Sequence, residues 1–111
     1  EGKMHARKKW IAFGTVVHGK IYIDPGAENA LLHKGKSLLP SGVTRVDGNF
    51  DRGMVVEVLT NQGQEVARGM INYDSREIRL IAGKKTSEIE KILGAKDYDE
   101  IIHRNNLWIK E

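Results

Sequence analysis

Turn and cap signals interrupt this sequence about every eight to twelve residues, and that rhythm allows only short elements. Residues 19–24 alternate around Ile21 and Ile23, which predicts a strand. Asp24-Pro25-Gly26 then reads as a helix start. The Asp24 carboxylate can accept from the orphan amides of the first turn, and Pro25 lacks an N–H where none is needed. Ala27, Ala30 and Leu31 share one face of this helix, and Gly35 supplies its stop. A buried face built mostly from alanine demands a neighbour that packs very close.

The same punctuation continues downstream. Leu38-Leu39-Pro40-Ser41-Gly42 leads into a strand over 43–46, followed by turns at Asp47-Gly48-Asn49 and Arg52-Gly53. Residues 54–60 and 65–72 read as a hairpin, with Met54, Val56 and Val58 on one face of the first arm and Ala67, Gly69 and Ile71 on one face of the second. Its turn is Asn61-Gln62-Gly63-Gln64, where Gly63 is free to take a positive φ. Asp74-Ser75-Arg76-Glu77 is a capping-box pattern ahead of Ile78, Ile81 and Gly83, and Ser87-Glu88-Ile89-Glu90 repeats it ahead of Ile92, Leu93 and Gly94. Residues 101–103 and 107–109 read as two last short strands around Arg104-Asn105-Asn106. The expected fold is mixed α/β and mainly β: a small, partly closed sheet of short strands with short flanking helices.

The chain has 111 residues, enough for one domain. A domain of that size buries roughly two thirds of its unfolded surface, so a core can form without staples. There are no cysteines, which excludes a disulfide scaffold, a thiolate zinc site and a cysteine nucleophile, and fits a reducing cytoplasm. Apolar runs are only a few residues long, so no membrane partner is expected. No initiator Met opens the chain, and residues 1–9 are polar and basic; they read as a tail or linker leading from a longer polypeptide, with the domain proper at 10–111. The formal charge is +3. The excess gathers at Lys3, His5, Arg7, Lys8 and Lys9, at Lys34 with Lys36, and at Lys84-Lys85, which is the pattern to test against phosphate binding.

Catalytic patterns are absent by spacing. Gly35-Lys36-Ser37 resembles the end of a phosphate loop, yet Ala30 stands where that motif needs glycine, and the triplet closes a helix where a phosphate loop opens one. His5, His18, His33 and His103 show no metal-ligand spacing, Asp47 and Asp51 flank a turn, and no serine lies in a nucleophile elbow. No catalytic and no metal residue is assigned, and the chain alone does not read as an enzyme. Binding remains: cations at Lys34, Lys36 and Arg68 suit phosphate, and Tyr73 beside Asn72 suits a stacked base.

Three segments taken together carry a family resemblance. Leu38-Leu39-Pro40-Ser41-Gly42-Val43, Gly48-Asn49-Phe50-Asp51-Arg52-Gly53 and Val66-Ala67-Arg68-Gly69 resemble the PUA domain. Arg7-Lys8-Lys9-Trp10-Ile11 is similar to the junction after the kinase domain of bacterial glutamate 5-kinases. Ile81-Ala82-Gly83-Lys84-Lys85-Thr86-Ser87-Glu88-Ile89 and Ile102-His103-Arg104-Asn105-Asn106-Leu107 are similar to that family's C-terminal extension. The resemblance implies a PUA-type pseudo-barrel. It implies a parent that transfers phosphate from ATP to the γ-carboxylate of L-glutamate with magnesium, the first step of proline synthesis. The cofactors and catalytic residues would all belong to an upstream amino-acid-kinase domain of the same polypeptide, in a parent that is a homo-oligomer. It further implies structured RNA as a possible partner, with contacts at Lys34, Gly35, Lys36, Ser37, Leu38, Arg68 and Tyr73. The two readings that follow are a modulatory domain of the kinase with RNA-binding ancestry, and a stand-alone RNA-binding module.

Overall fold

The computed structural model describes residues 2–110. Its helices are α1 (Gly2–Lys9), α2 (Pro25–Lys34), α3 (Ser75–Ile81) and α4 (Ile89–Leu93). Its strands are β1 (Val17–Ile23), β2 (Val43–Asp47), β3 (Val55–Thr60), β4 (Glu65–Met70) and β5 (Leu107–Ile109), which make one sheet in the order β2-β1-β3-β4-β5. β1 and β3 run parallel and every other pair is antiparallel. Parallel neighbours need a crossover. Here α2, a turn over Pro40–Gly42 and β2 fill it, so the α2 segment is carried out of the sheet and back to its edge.

Backbone hydrogen bonds outside the ladders tie together the segments around the sheet. Asn72 N–H donates to the Ile101 carbonyl at 2.9 Å, Leu38 N–H donates to the Ile102 carbonyl at 2.9 Å, and Asp24 N–H donates to the Gly42 carbonyl at 3.0 Å. Leu38 and Ile102 form an isolated antiparallel bridge. A ring of short strands closed by one bridge in place of a ladder is the pseudo-barrel that the sequence predicts. Residues 101–103, read as a strand, contribute only that bridge, because the chain turns at Arg104–Asn106 before a second pair can form.

The local signals explain most of the elements. The Asp24 carboxylate accepts from Ala27 N–H at 2.7 Å, Pro25 opens α2, and Gly35 ends it at φ 60°, a left-handed conformation that suits a residue without Cβ. The Asp74–Glu77 capping box is complete, with both reciprocal bonds at 2.8 Å. The second box is not formed as read: Ser87 lies inside a 3-10 turn over Thr86–Glu88, and it is Glu88 that accepts from Lys85 N–H, at 3.4 Å. In the hairpin, Val56 pairs with Gly69 and Val58 with Ala67. Val55 and Leu59 on the other face are buried as well, so β3 is covered on both sides. One core holds the inner sheet face, Leu31 of α2, Ile78 and Ile81 of α3, and Ile89 of α4.

Residues 2–9, read as a tail, are helical, and Glu1 lies outside the described residues. α1 packs on the Arg104–Asn106 turn and β5, and the Arg7 guanidinium donates to Asn106 Oδ1 at 2.8 Å. A π-helical turn over Trp10–Gly14 follows, with Ile11 and Ala12 buried. α1 is therefore set against the body by packing that no motif announced.

Candidate nucleic-acid interface

A groove of about 770 Å³ runs along α2. Its first wall is the small-residue face of α2, Gly26, Ala27 and Ala30. Gly42 closes its base, and a Cβ added there would sit 2.5 Å from the Ala27 Cβ. This is the close neighbour that an alanine face requires. The second wall is Glu100, His103 and Arg104. It is held there by the Leu38–Ile102 bridge and by Arg104 N–H, which donates to Ser37 Oγ at 2.8 Å. Lys36, Ser37, Leu39 and Ser41 complete the lining.

The groove is lined by two cations, Lys36 and Arg104, and by two hydroxyls, Ser37 and Ser41. The Lys36 and Arg104 side chains make no ion pair among the described residues. His103 Nδ1 accepts from Asn105 N–H at 3.0 Å, which leaves its Nε2 to donate. Asp24 faces the groove too, but its carboxylate is engaged by the α2 cap. Leu39 is 44% exposed, an apolar side chain on which a base or sugar could rest. Donors, hydroxyls and one apolar shelf suit a sugar–phosphate strand better than an apolar small molecule.

The structure separates the seven residues proposed from sequence. Lys36 and Ser37 line the groove, Gly35 ends α2 without lining the groove, and Lys34 is exposed on the last turn of α2. Leu38 is 1% exposed, so its side chain cannot contact a ligand; its backbone is spent on the bridge to Ile102. Tyr73 is fully buried and cannot stack a base. Its hydroxyl donates to the Tyr98 carbonyl and accepts from Tyr98 N–H at 2.9 Å, so the ring is a pin for the C-terminal loop. Arg68 is not among the residues that line the groove. Its guanidinium is paired with Glu65, donates to the Ala12 carbonyl at 2.7 Å and lies 5.9 Å from the Trp108 ring. The hydrogen bond to Glu65 raises its pKa and fixes the charge in an internal role. Sequence reasoning missed His103 and Arg104, because only the bridge at Ile102 brings that turn opposite Ser37.

Gly35-Lys36-Ser37 ends a helix, and among the described residues no group of three acidic, histidine or cysteine side chains could hold a metal. No helix among them is long and apolar enough to cross a membrane.

Comparison with known proteins follows the same lines. The PUA domain model matches residues 19–93. The glutamate 5-kinase of Moorella thermoacetica is 52% identical over 109 residues, covering 98% of this chain and 29% of the relative. The chain thus spans less than a third of that relative's length. A PUA domain from Aeropyrum pernix K1, solved as a tartrate complex, is 32% identical with a TM-score of 0.55, over 86% of this chain and 46% of that one. A chain of the archaeal box H/ACA sRNP Nop10-Cbf5 complex shares the fold at 18% identity and a TM-score of 0.54, over 85% of this chain and 24% of that one. Matched to that model over more than half its length, with a mixed sheet closed at a single bridge, this chain belongs to the PUA domain family.

Proposed function

We propose that this chain is the C-terminal, non-catalytic domain of a glutamate 5-kinase and that it modulates that enzyme, including its feedback inhibition by proline. The observation that carries the reading is 52% identity to such a kinase across 98% of this chain but only 29% of the relative. Under this reading an amino-acid-kinase domain precedes α1 in the same polypeptide, with residues 1–9 as the junction and 10–111 as the modulatory domain. The preceding kinase domain binds ATP, magnesium and glutamate, and the whole works in the cytoplasm as a homo-oligomer. The site residues described above have no part in phosphoryl transfer. Excising residues 10–111 from the full-length polypeptide should leave glutamate phosphorylation measurable. Complete loss of activity in a remainder that stays folded would replace modulation with an essential role.

The groove supports a second reading, in which the domain also binds structured RNA or does so alone. Its unpaired cations, Lys36 and Arg104, are the observation in favour. The double change Lys34→Glu and Lys36→Glu should weaken binding to a transfer RNA and flatten its salt dependence. Unchanged binding would remove the groove from the account.

A further inference from the structure

A cleft of about 150 Å³ opens beside the groove, where α1 meets the turn that follows α2. Three cations from distant parts of the sequence line it: Lys8 of α1, Lys36 of the turn, and Arg104 of the opposite wall. Leu31 and Leu107 form part of its surface, and among the described residues no carboxylate lines it. None of the three cationic side chains is in an ion pair among the described residues. Like charges that share a small, partly apolar space repel one another, and an anion between them reverses that term. The cleft is too small for a base with its sugar and suits one tetrahedral anion.

Lys36 and Arg104 line both the cleft and the large groove, so the two spaces meet at these side chains. The large groove carries Asp24 and Glu100 beside its cations, whereas the charged side chains lining the cleft are, among the described residues, all cations. The most anion-selective point on this face is therefore the end that α1 completes.

We propose that the cleft seats one phosphate of a nucleic-acid backbone, held by Lys8, Lys36 and Arg104, and that α1 is part of the binding surface. The proposal rests on the reading of the groove as a nucleic-acid interface and goes beyond it in assigning α1 a role. A phosphate there ties three segments together: α1, the end of α2 and the Arg104–Asn106 turn. Among the described residues, the side-chain hydrogen bond holding α1 to that turn is the exposed Arg7–Asn106 contact. Binding in the groove then tightens α1 onto the body.

The test titrates the 111-residue chain with a transfer RNA over a range of salt. Lys8→Gln is compared with Lys84→Gln, an equal charge change at an exposed site outside both spaces. Lys8→Gln should weaken binding several-fold and reduce the slope of log K against log salt by about one contact's worth, while Lys84→Gln matches the parent. Inorganic pyrophosphate is the second probe, followed through the backbone amide shifts of Lys8, Lys36 and Arg104. All three should move in the parent, and Lys36 and Arg104 should move less in Lys8→Gln. If Lys8→Gln keeps the parental affinity and slope while Lys36→Gln loses them, the cleft is not a phosphate seat and the groove reading survives. If pyrophosphate moves the three amides but the transfer RNA does not bind, the seat serves free phosphate anions and the groove reading falls. If neither probe binds, or if Lys8→Gln, Lys36→Gln and Arg104→Gln all bind as the parent does, both readings fall.

Discussion

Tyr73 carries two hydrogen bonds on one oxygen, and both go to the backbone of Tyr98. Burial raises its pKa above the ordinary phenol value, so the neutral hydroxyl is the working form. Tyr73→Phe leaves an N–H and a carbonyl unsatisfied and should cost about 1–3 kcal/mol in urea unfolding, with RNA binding unchanged. A variant of parental stability that lost RNA binding would return Tyr73 to the interface. Next to it, Arg52 lies 5.0 Å from the Tyr73 ring centre and bridges Glu77 at 2.8 Å and Asp97 at 2.8 Å. The Arg52 hydrogen bonds hold the Glu77 carboxyl below its ordinary pKa. A depressed carboxylate pKa adds stability above the unfolded value, about 4.3, and that stability is lost as pH falls through the folded value. Glu77→Gln should therefore lower stability at neutral pH by a modest amount and flatten the acid limb of the stability–pH curve. A limb as steep as the parent's would assign acid sensitivity to other carboxylates.

At the scale of elements, α2 decides the shape of the face. Its alanines and Gly42 allow the helix to lie directly on the start of β2. Gly42→Ala forces a Cβ into the Ala27 methyl, so either the helix shifts or the core strains, at a cost of about 1–3 kcal/mol. Amide shifts should change along α2 and the Lys36–Ser41 loop and stay fixed in the β3–β4 hairpin; shifts confined to residue 42 would show that the packing tolerates the methyl. This element was legible in the sequence, because Asp24, Pro25 and Gly35 act through bonds local to the chain. The hairpin was legible for the same reason. What could not be read depends on contacts between distant segments. Tyr73 and Arg68 carry the same side chains whether they face water or a neighbour, and only the positions of Tyr98 and Ala12 decide that they turn inward. Arg104 became a groove residue through a bridge made two residues earlier, at Ile102. The helix over Gly2–Lys9 has no apolar stripe strong enough to announce it.

For the whole molecule, the fold brings α1 and three cations without ion pairs among the described residues, Lys8, Lys36 and Arg104, to the groove and the cleft beside it. A ligand there and a preceding kinase domain would act on the same helix, which gives the proposed modulation a physical route. The net charge of +3 is small, so any RNA contact depends on where these cations sit more than on their number. The most direct measurement is the proline inhibition curve of the full-length polypeptide, with and without residues 10–111. The account predicts that glutamate phosphorylation persists without them and that the proline concentration giving half inhibition shifts. Superimposable curves from the two forms would contradict it.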